Sequence, residues 1–257
     1  LDRTQLLARL REPLAQADRA DLEALVEQRL SGEPVAYLTG VREFFGRSFA
    51  VGPGVLIPRP ETELLVEWAL DWLSDRPRAT IVDVGTGTGA IALSIAANSA
   101  VEPRSVIAAD VSLTALHFAE TNRRRFGLAQ VVDLVRGDLV TWCKGPIELI
   151  LANLPYLRPD QVASNPDLRA EPAPALVSGD DGLDAINSLI RDLPRVLSDD
   201  GAVGCEIDPS QADAVAGAAR SVLPDARVAV LRDLAGFDRF VIVDRSRIGP
   251  SRRDRDR

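Results

Sequence analysis

Leucines three and four residues apart set the pattern at the start of the chain. Leu6, Leu7 and Leu10, then Leu22, Leu25, Val26 and Leu30, form the apolar stripe of one or two amphipathic helices over residues 4–30. Pro13 divides the stretch or opens its second segment, and Ser31-Gly32-Glu33-Pro34 ends it. A helical piece this short cannot bury its faces by itself, so the pattern predicts that it packs on something else. Over 35–57 the character changes. Tyr37, Phe44, Phe45, Phe49, Val51, Val55 and Ile57 are broken by Gly40, Gly46, Gly52 and Gly54, which predicts a β-hairpin region connecting two domains.

Ile57-Pro58-Arg59-Pro60-Glu61-Thr62-Glu63 then leads into a helix over Leu64–Leu73. Pro60 suits a first helical turn, and the acids stand where the helix dipole favours them. The segment also has a functional reading, in which Arg59, Glu61 and Glu63 line a cleft beside the main domain. From Thr80 the pattern becomes strand, turn and helix, repeated. Strands are predicted over 80–84, 105–110, 131–136, 147–152, 202–207, 226–231 and 239–243, with helices over 90–97, 113–126, 182–197 and 211–222. Alternation of this kind predicts an α/β fold with a doubly wound, mostly parallel, seven-stranded sheet and right-handed crossovers. The expected domains are a helical unit over 1–34, the hairpin connector over 35–57, the α/β domain over 58–244 and a polar, disordered tail over 245–257.

Composition narrows the class. The chain has 257 residues and is 46% hydrophobic and 26% charged, which fits a globular protein of one large domain or a large and a small one. No run is long enough to cross a membrane. Cys143 and Cys205 lie far apart and predict no disulfide framework, which points to a reducing, cytoplasmic setting. A single histidine, His117, excludes a histidine-rich metal site, and no metal is expected. The net charge of −8 argues against a sequence-independent grip on duplex DNA. The chain contains no methionine and begins at Leu1, so residues are expected before it or its first residue has been altered.

Two segments carry the chemistry. Ile81-Val82-Asp83-Val84-Gly85-Thr86-Gly87-Thr88-Gly89-Ala90 reads as a strand, a glycine turn and a helix start, which points to a nucleotide-like cofactor. Its third glycine comes one residue early for the nicotinamide fingerprint. Asp110 ends the next strand about 20 residues beyond the loop, the placement that binds ribose hydroxyls. Asp138 follows the third strand and could accept from an adenine amino group, with Leu139 against the ring. The second segment is Asn153-Leu154-Pro155-Tyr156, at the carboxyl end of a buried strand, where open α/β sheets bind ligands. The proline stiffens the turn and leaves the carbonyls of Leu154 and Asn153 free to accept. The Asn153 side chain adds an acceptor and two donors, and Tyr156 a flat face. Together they suit a planar NH2 group, in an amide or an exocyclic base amine.

With both segments in place, the chain resembles S-adenosylmethionine-dependent methyltransferases that act on planar nitrogens. Gly32–Gly40 (GEPVAYLTG), IPRPETE at 57–63, VDVGTGTGAIALSIA at 82–96, NLPY at 153–156, EPAPAL at 171–176, DDGLDAI at 180–186 and DLAGFDRF at 233–240 are similar to the release factor glutamine methyltransferase family. The resemblance implies a Rossmann-like methyltransferase sheet preceded by a helical substrate-docking domain. It implies methylation of the glutamine amide in the Gly-Gly-Gln loop of class 1 peptide chain release factors. It also implies that Asp83, Gly85, Thr86, Gly87, Thr88, Gly89, Asp110, Asp138, Leu139 and Asn153 contact S-adenosylmethionine or stand beside it. Asn153, Leu154, Pro155 and Tyr156 would hold the glutamine amide, with Arg59 and Glu61 also on the substrate side.

Two departures stand out. The family turn is usually NPPY, and Leu154 takes its second position. About 30 residues precede GEPVAYLTG where the family carries more, so the helical domain reads as truncated. A monomer that uses a protein substrate, not nucleic acid or membrane, is the expectation. The alternatives are an N6-adenine methyltransferase on DNA or RNA, since rRNA adenine dimethyltransferases share NLPY, and a cofactor-binding module without catalysis.

Overall fold

Each central strand is apolar on both faces. In β3 (Thr80–Val84), Ile81 feeds one core cluster while Val82 and Val84 feed the other. In β6 (Ile147–Ala152), Leu149 and Leu151 oppose Ile150 and Ala152 in the same way. Strands buried on both faces belong to a sheet sandwiched between helix layers. The computed structural model shows that sheet, and describes residues 3–13 and 15–246. Its seven strands run in the order β5-β4-β3-β6-β7-β9-β8. The other members are β4 (Ser105–Asp110), β5 (Val132–Arg136), β7 (Leu197–Glu206), β8 (Arg227–Arg232) and β9 (Asp238–Asp244). All neighbours are parallel except β9, which runs antiparallel between β7 and β8.

Helices fill both faces. On one side lie α4 (Glu63–Leu73) and α5 (Ala90–Asn98), the latter apolar almost all round and buried from Ala90 to Ile95. On the other lie α8 (Asp184–Val196) and α9 (Ala212–Val222). Ile186, Leu189, Ile190, Leu193 and Val196 recur at helical spacing and form the buried face of α8. Helix α6 (Leu113–Arg125) joins β4 to β5, and a short α7 (Pro159–Ser164), absent from the sequence reading, follows the turn after β6.

The hairpin consists of β1 (Val41–Phe44) and β2 (Arg47–Ala50). Phe49 meets Phe126 edge to face, with ring centroids 4.9 Å apart, which seats the hairpin against the end of α6. The connector is not all β. It opens with a short helix, α3 (Val35–Thr39), closed by Gly40 at φ 70°. Residues 52–57 then cross the carboxyl end of the sheet, pressing Gly52 on the Phe118 ring and Gly54 on Thr114.

Two expectations need correction. Helices α1 (Arg3–Ala8) and α2 (Gln16–Leu30) form on either side of Pro13, but they bury nothing within the described chain. Leu6, Leu7, Leu10, Leu22, Leu25, Val26 and Leu30 are all exposed, so the apolar stripe predicts the helices and not a partner for them. The tail does not begin at 245. The Arg245 N–H donates to the Gly201 carbonyl at 2.9 Å, and its guanidinium bonds the carbonyls of Leu197 and Ser198 and pairs with Asp199. The rest of the expected tail, 247–257, lies outside the described residues. No helix among those residues is long and apolar enough to cross a membrane.

Candidate active site

The sheet order reverses between β3 and β6, since β4 and β5 lie on one side of that pair and β7 on the other. Ligands of such sheets bind where the order reverses, outside the carboxyl ends of the strands. A cavity of about 340 Å³ opens there. Gly85 and Gly87 from the loop after β3, Asp110 and Val111 after β4, and Gly137, Asp138 and Leu139 after β5 form one end of its lining. Asn153, Leu154 and Pro155 after β6 form the other.

The glycine loop is fixed by its own bonds. Gly85 N–H and Thr86 N–H both donate to the Ala109 carbonyl at 2.9 Å, and Gly85 and Gly87 hold φ of 71° and 57°. These left-handed values suit glycine and bring bare backbone to the cavity wall. Asp110 Oδ2 accepts from Gly87 N–H at 2.9 Å and Oδ1 from Ser112 N–H at 2.8 Å. Each oxygen keeps a lone pair for a ligand hydroxyl. Burial raises the Asp110 carboxyl above its ordinary value, against the pull of those N–H groups.

Asp83 is placed differently from the expectation. It is fully buried behind the loop, where Oδ2 accepts from Thr86 Oγ1 at 2.6 Å and Ala92 N–H at 3.1 Å. It braces the loop and is not part of the cavity lining; Thr86, Thr88 and Gly89 also stand outside the lining. Asp138 and Leu139 are at the cavity, Asp138 exposed and Leu139 with φ 46°. Asp110, glycine backbone and the apolar faces of Val55, Val111 and Leu139 fit a nucleoside that carries a positive charge.

Beyond the cavity, the Asn153–Tyr156 turn is held from three directions. Asn153 Nδ2 donates to Thr62 Oγ1 at 3.0 Å, and Thr62 Oγ1 donates to Glu206 Oε2 at 2.6 Å. Tyr156 Oη donates to Glu206 Oε1 at 3.2 Å, and Gln211 Nε2 donates to the Tyr156 carbonyl at 2.9 Å. The Leu157 N–H donates to the Leu176 carbonyl at 2.8 Å and its carbonyl accepts from the Ser178 N–H at 3.2 Å, which ties the turn to the 171–178 segment. Thr62 and Glu206 are 4% and 2% exposed, so this is a buried polar network. With Nδ2 committed to Thr62, the Oδ1 end of Asn153 is the one offered to a ligand. Burial raises the Glu206 carboxyl, opposed by Thr62, Tyr156 and the Arg239 charge. Burial, then the Glu206 charge, raises the Tyr156 phenol, so it remains a donor.

A smaller cavity of about 110 Å³ lies against the same turn, lined by Arg59, Asn153, Leu154, Tyr156, Leu168 and others. Arg59 reaches it but is paired with the buried Glu171 carboxylate, which also accepts from Ile57 N–H at 2.9 Å. Glu61 is exposed on the turn before α4. Glu63 does not face the cleft, since its Oε1 accepts from Phe45 N–H at 2.9 Å and ties α4 to the hairpin. His117 lies exposed on α6, Trp72 and Cys205 are buried, and burial pushes the Cys205 thiol up to about 12.

The sequence reading missed Thr62, Glu206, Glu171 and the cavity wall of Gly54, Val55 and Leu56. Glu206 carried a usable signal, an acid closing the apolar run Ala202–Cys205 at the same sheet edge as Asn153.

The fold and this cavity define a Rossmann-like methyltransferase. Residues 61–171 match the family model described as the methyltransferase small domain, and residues 1–40 that of the PrmC N-terminal domain. A 16S rRNA methyltransferase from T. thermophilus, solved in complex with AdoMet and guanosine, shares the fold at 16% identity and TM-score 0.56, over 79% of this chain and 49% of its own. The release factor glutamine methyltransferase of Moorella thermoacetica is 41% identical over 95% of this chain and 87% of its own. That of Bordetella pertussis is 42% identical over 93% and 87%. This chain belongs to the release factor glutamine methyltransferase family.

Proposed function

We propose that this chain transfers a methyl group from S-adenosylmethionine to the side-chain amide nitrogen of the Gly-Gly-Gln glutamine in class 1 peptide chain release factors. The observation that carries the reading is the Asn153 side-chain amide at the cavity, with Nδ2 taken up by Thr62 Oγ1 at 3.0 Å and Oδ1 left for a ligand, next in sequence to the Leu154 carbonyl. Two acceptors side by side match the two hydrogens of a primary amide. When bound, S-adenosylmethionine supplies an electrophilic methyl group on a cationic sulfur.

An amide nitrogen is a poor nucleophile because its lone pair is delocalised. The chain's contribution is therefore positioning, which holds the NH2 group close to the incoming carbon and in line with the bond that breaks. Asn153 Oδ1 and the Leu154 carbonyl accept its two hydrogens, and they stabilise the positive charge that develops on nitrogen. One proton then leaves to water. The cytoplasm is the compartment this reading implies, and the working form is a monomer.

The test incubates the protein with labelled S-adenosylmethionine and a class 1 release factor, followed by mass spectrometry of the Gly-Gly-Gln peptide. One methyl group on that glutamine is expected. An unmodified peptide, with an adenine-containing oligonucleotide methylated instead, would overturn the assignment.

A further inference from the structure

A primary amide has two ends of nearly equal size and opposite hydrogen-bonding character. If Asn153 were reversed, it would present NH2 to the incoming NH2, donor against donor. Shape does not choose between the two orientations; the partner of the inner end does. That partner is the Thr62 hydroxyl, which has one hydrogen and could serve either orientation. It would accept from Nδ2 or donate to Oδ1.

The choice is made one step further in. Thr62 Oγ1 is 2.6 Å from Glu206 Oε2, and an ionised carboxylate only accepts. It takes the single hydroxyl hydrogen, so Thr62 is left as an acceptor toward Asn153. The second Glu206 oxygen takes the Tyr156 hydroxyl at 3.2 Å. Burial works against the anion at Glu206, and the Thr62 and Tyr156 hydroxyls and the charge of Arg239, itself held by Asp233 at 3.1 Å, work for it. Glu206 comes into place because Ala152 is paired with Cys205, which sets the ends of β6 and β7 side by side.

We propose that Glu206 and Thr62 are positioning residues: through one hydroxyl, the Glu206 carboxylate decides which end of the Asn153 amide faces the acceptor nitrogen. The inference rests on the amide-acceptor reading above and adds a residue on β7 to its specificity. A carboxylate in place of the substrate amide would meet Asn153 Oδ1 as a second acceptor and be rejected. The relay thus selects glutamine over glutamate.

The test uses three variants of the full chain. Thr62→Ser keeps the hydroxyl. Thr62→Val keeps the shape without it. Glu206→Gln keeps the shape but supplies a donor that lets the relay reverse. Expected is near wild-type turnover for Thr62→Ser, and a fall in kcat of about 10–100-fold for the other two, with cofactor affinity held within about twofold. Glu206→Gln should also improve binding of a release factor carrying Gly-Gly-Glu relative to Gly-Gly-Gln by about tenfold. A purely structural role would leave that ratio unchanged. Wild-type kcat in Thr62→Val and Glu206→Gln would overturn the proposal. So would losses that track melting temperature and cofactor affinity without a change in the ratio. If the wild-type protein itself fails to methylate Gly-Gly-Gln, the function above falls, and the relay is decided separately by the side-chain amide resonance of a 15N-labelled Asn153. A shift in Thr62→Val and Glu206→Gln but not in Thr62→Ser supports it, and unchanged resonances overturn it.

Discussion

Leu154 packs directly against Gly85: its Cδ2 methyl lies 3.0 Å from the point a Cβ on Gly85 would occupy. Leu154 is 5% exposed and belongs to the core cluster on the α8 side of the sheet. The turn therefore gains by packing what a second proline would have given by stiffness. Leu154→Ala should cost about 2–4 kcal/mol in a denaturant melt. Gly85→Ala meets both the methyl and a φ of 71°, which adds about 1–2 kcal/mol of backbone strain. Calorimetry should show about a tenfold loss of S-adenosylmethionine affinity for that variant as the loop shifts.

Asp83 makes stability depend on pH. Burial pushes its carboxyl from 3.8 up to about 7, against the bonds from Thr86 and Ala92, and the Asp110 charge adds to the rise. Its Oδ1 has no hydrogen-bond partner among the described residues. The fold thus favours the protonated form, and stability falls as pH rises from about 4 to about 7. Asp83→Asn should remove that dependence. Its advantage over the wild type, absent at pH about 4, should grow to roughly 2–4 kcal/mol at pH about 8 in urea melts.

Gly182 touches the turn from the far side. Its φ is 79°, and a Cβ there would sit 2.1 Å from the Tyr156 carbonyl oxygen, which is backbone and has no rotamer by which to retreat. Gly182→Ala should displace Tyr156, break its bond from Gln211 and lower kcat by about tenfold or more. Cofactor affinity should stay near wild type, because Gly182 is not among the residues lining the larger cavity. Comparing titration calorimetry with turnover checks this.

Asn122 fastens the hairpin to the glycine loop. It is fully buried, accepts from Ala50 N–H at 2.7 Å, and donates to the carbonyls of Ala50 and Thr88 at 3.1 and 2.9 Å. Asn122→Ala leaves these main-chain groups without partners and should cost about 2–4 kcal/mol. Faster hydrogen exchange at the Ala50 amide is the specific readout.

The sheet could be read ahead of the structure because strands buried on both faces are written as short apolar runs between turns. The glycine loop and Asn153 were legible for a related reason, since both close such runs at the ligand edge. Thr62 left no local pattern, and Glu206 left only that of an acid closing an apolar run. Their bond joins residues 144 apart, and each alone looks like a helix-start residue or a strand end. Helix α3 is too short to show a period, and Val55 and Leu56 fall within the stretch read as a hairpin connector. On α2 the leucine spacing encodes a helix correctly, yet periodicity carries no information about what covers the stripe.

Network bonds between Thr62 and Glu206 and between Thr62 and Asn153 close loops of 144 and 91 residues. Contacts of such separation form late, after the entropy of closing the loops has been met. Every residue that lines the larger cavity precedes β7 in the chain, whereas Glu206 closes that strand. The orientation of Asn153 waits for Glu206, so competence for transfer arrives only when the domain is nearly whole.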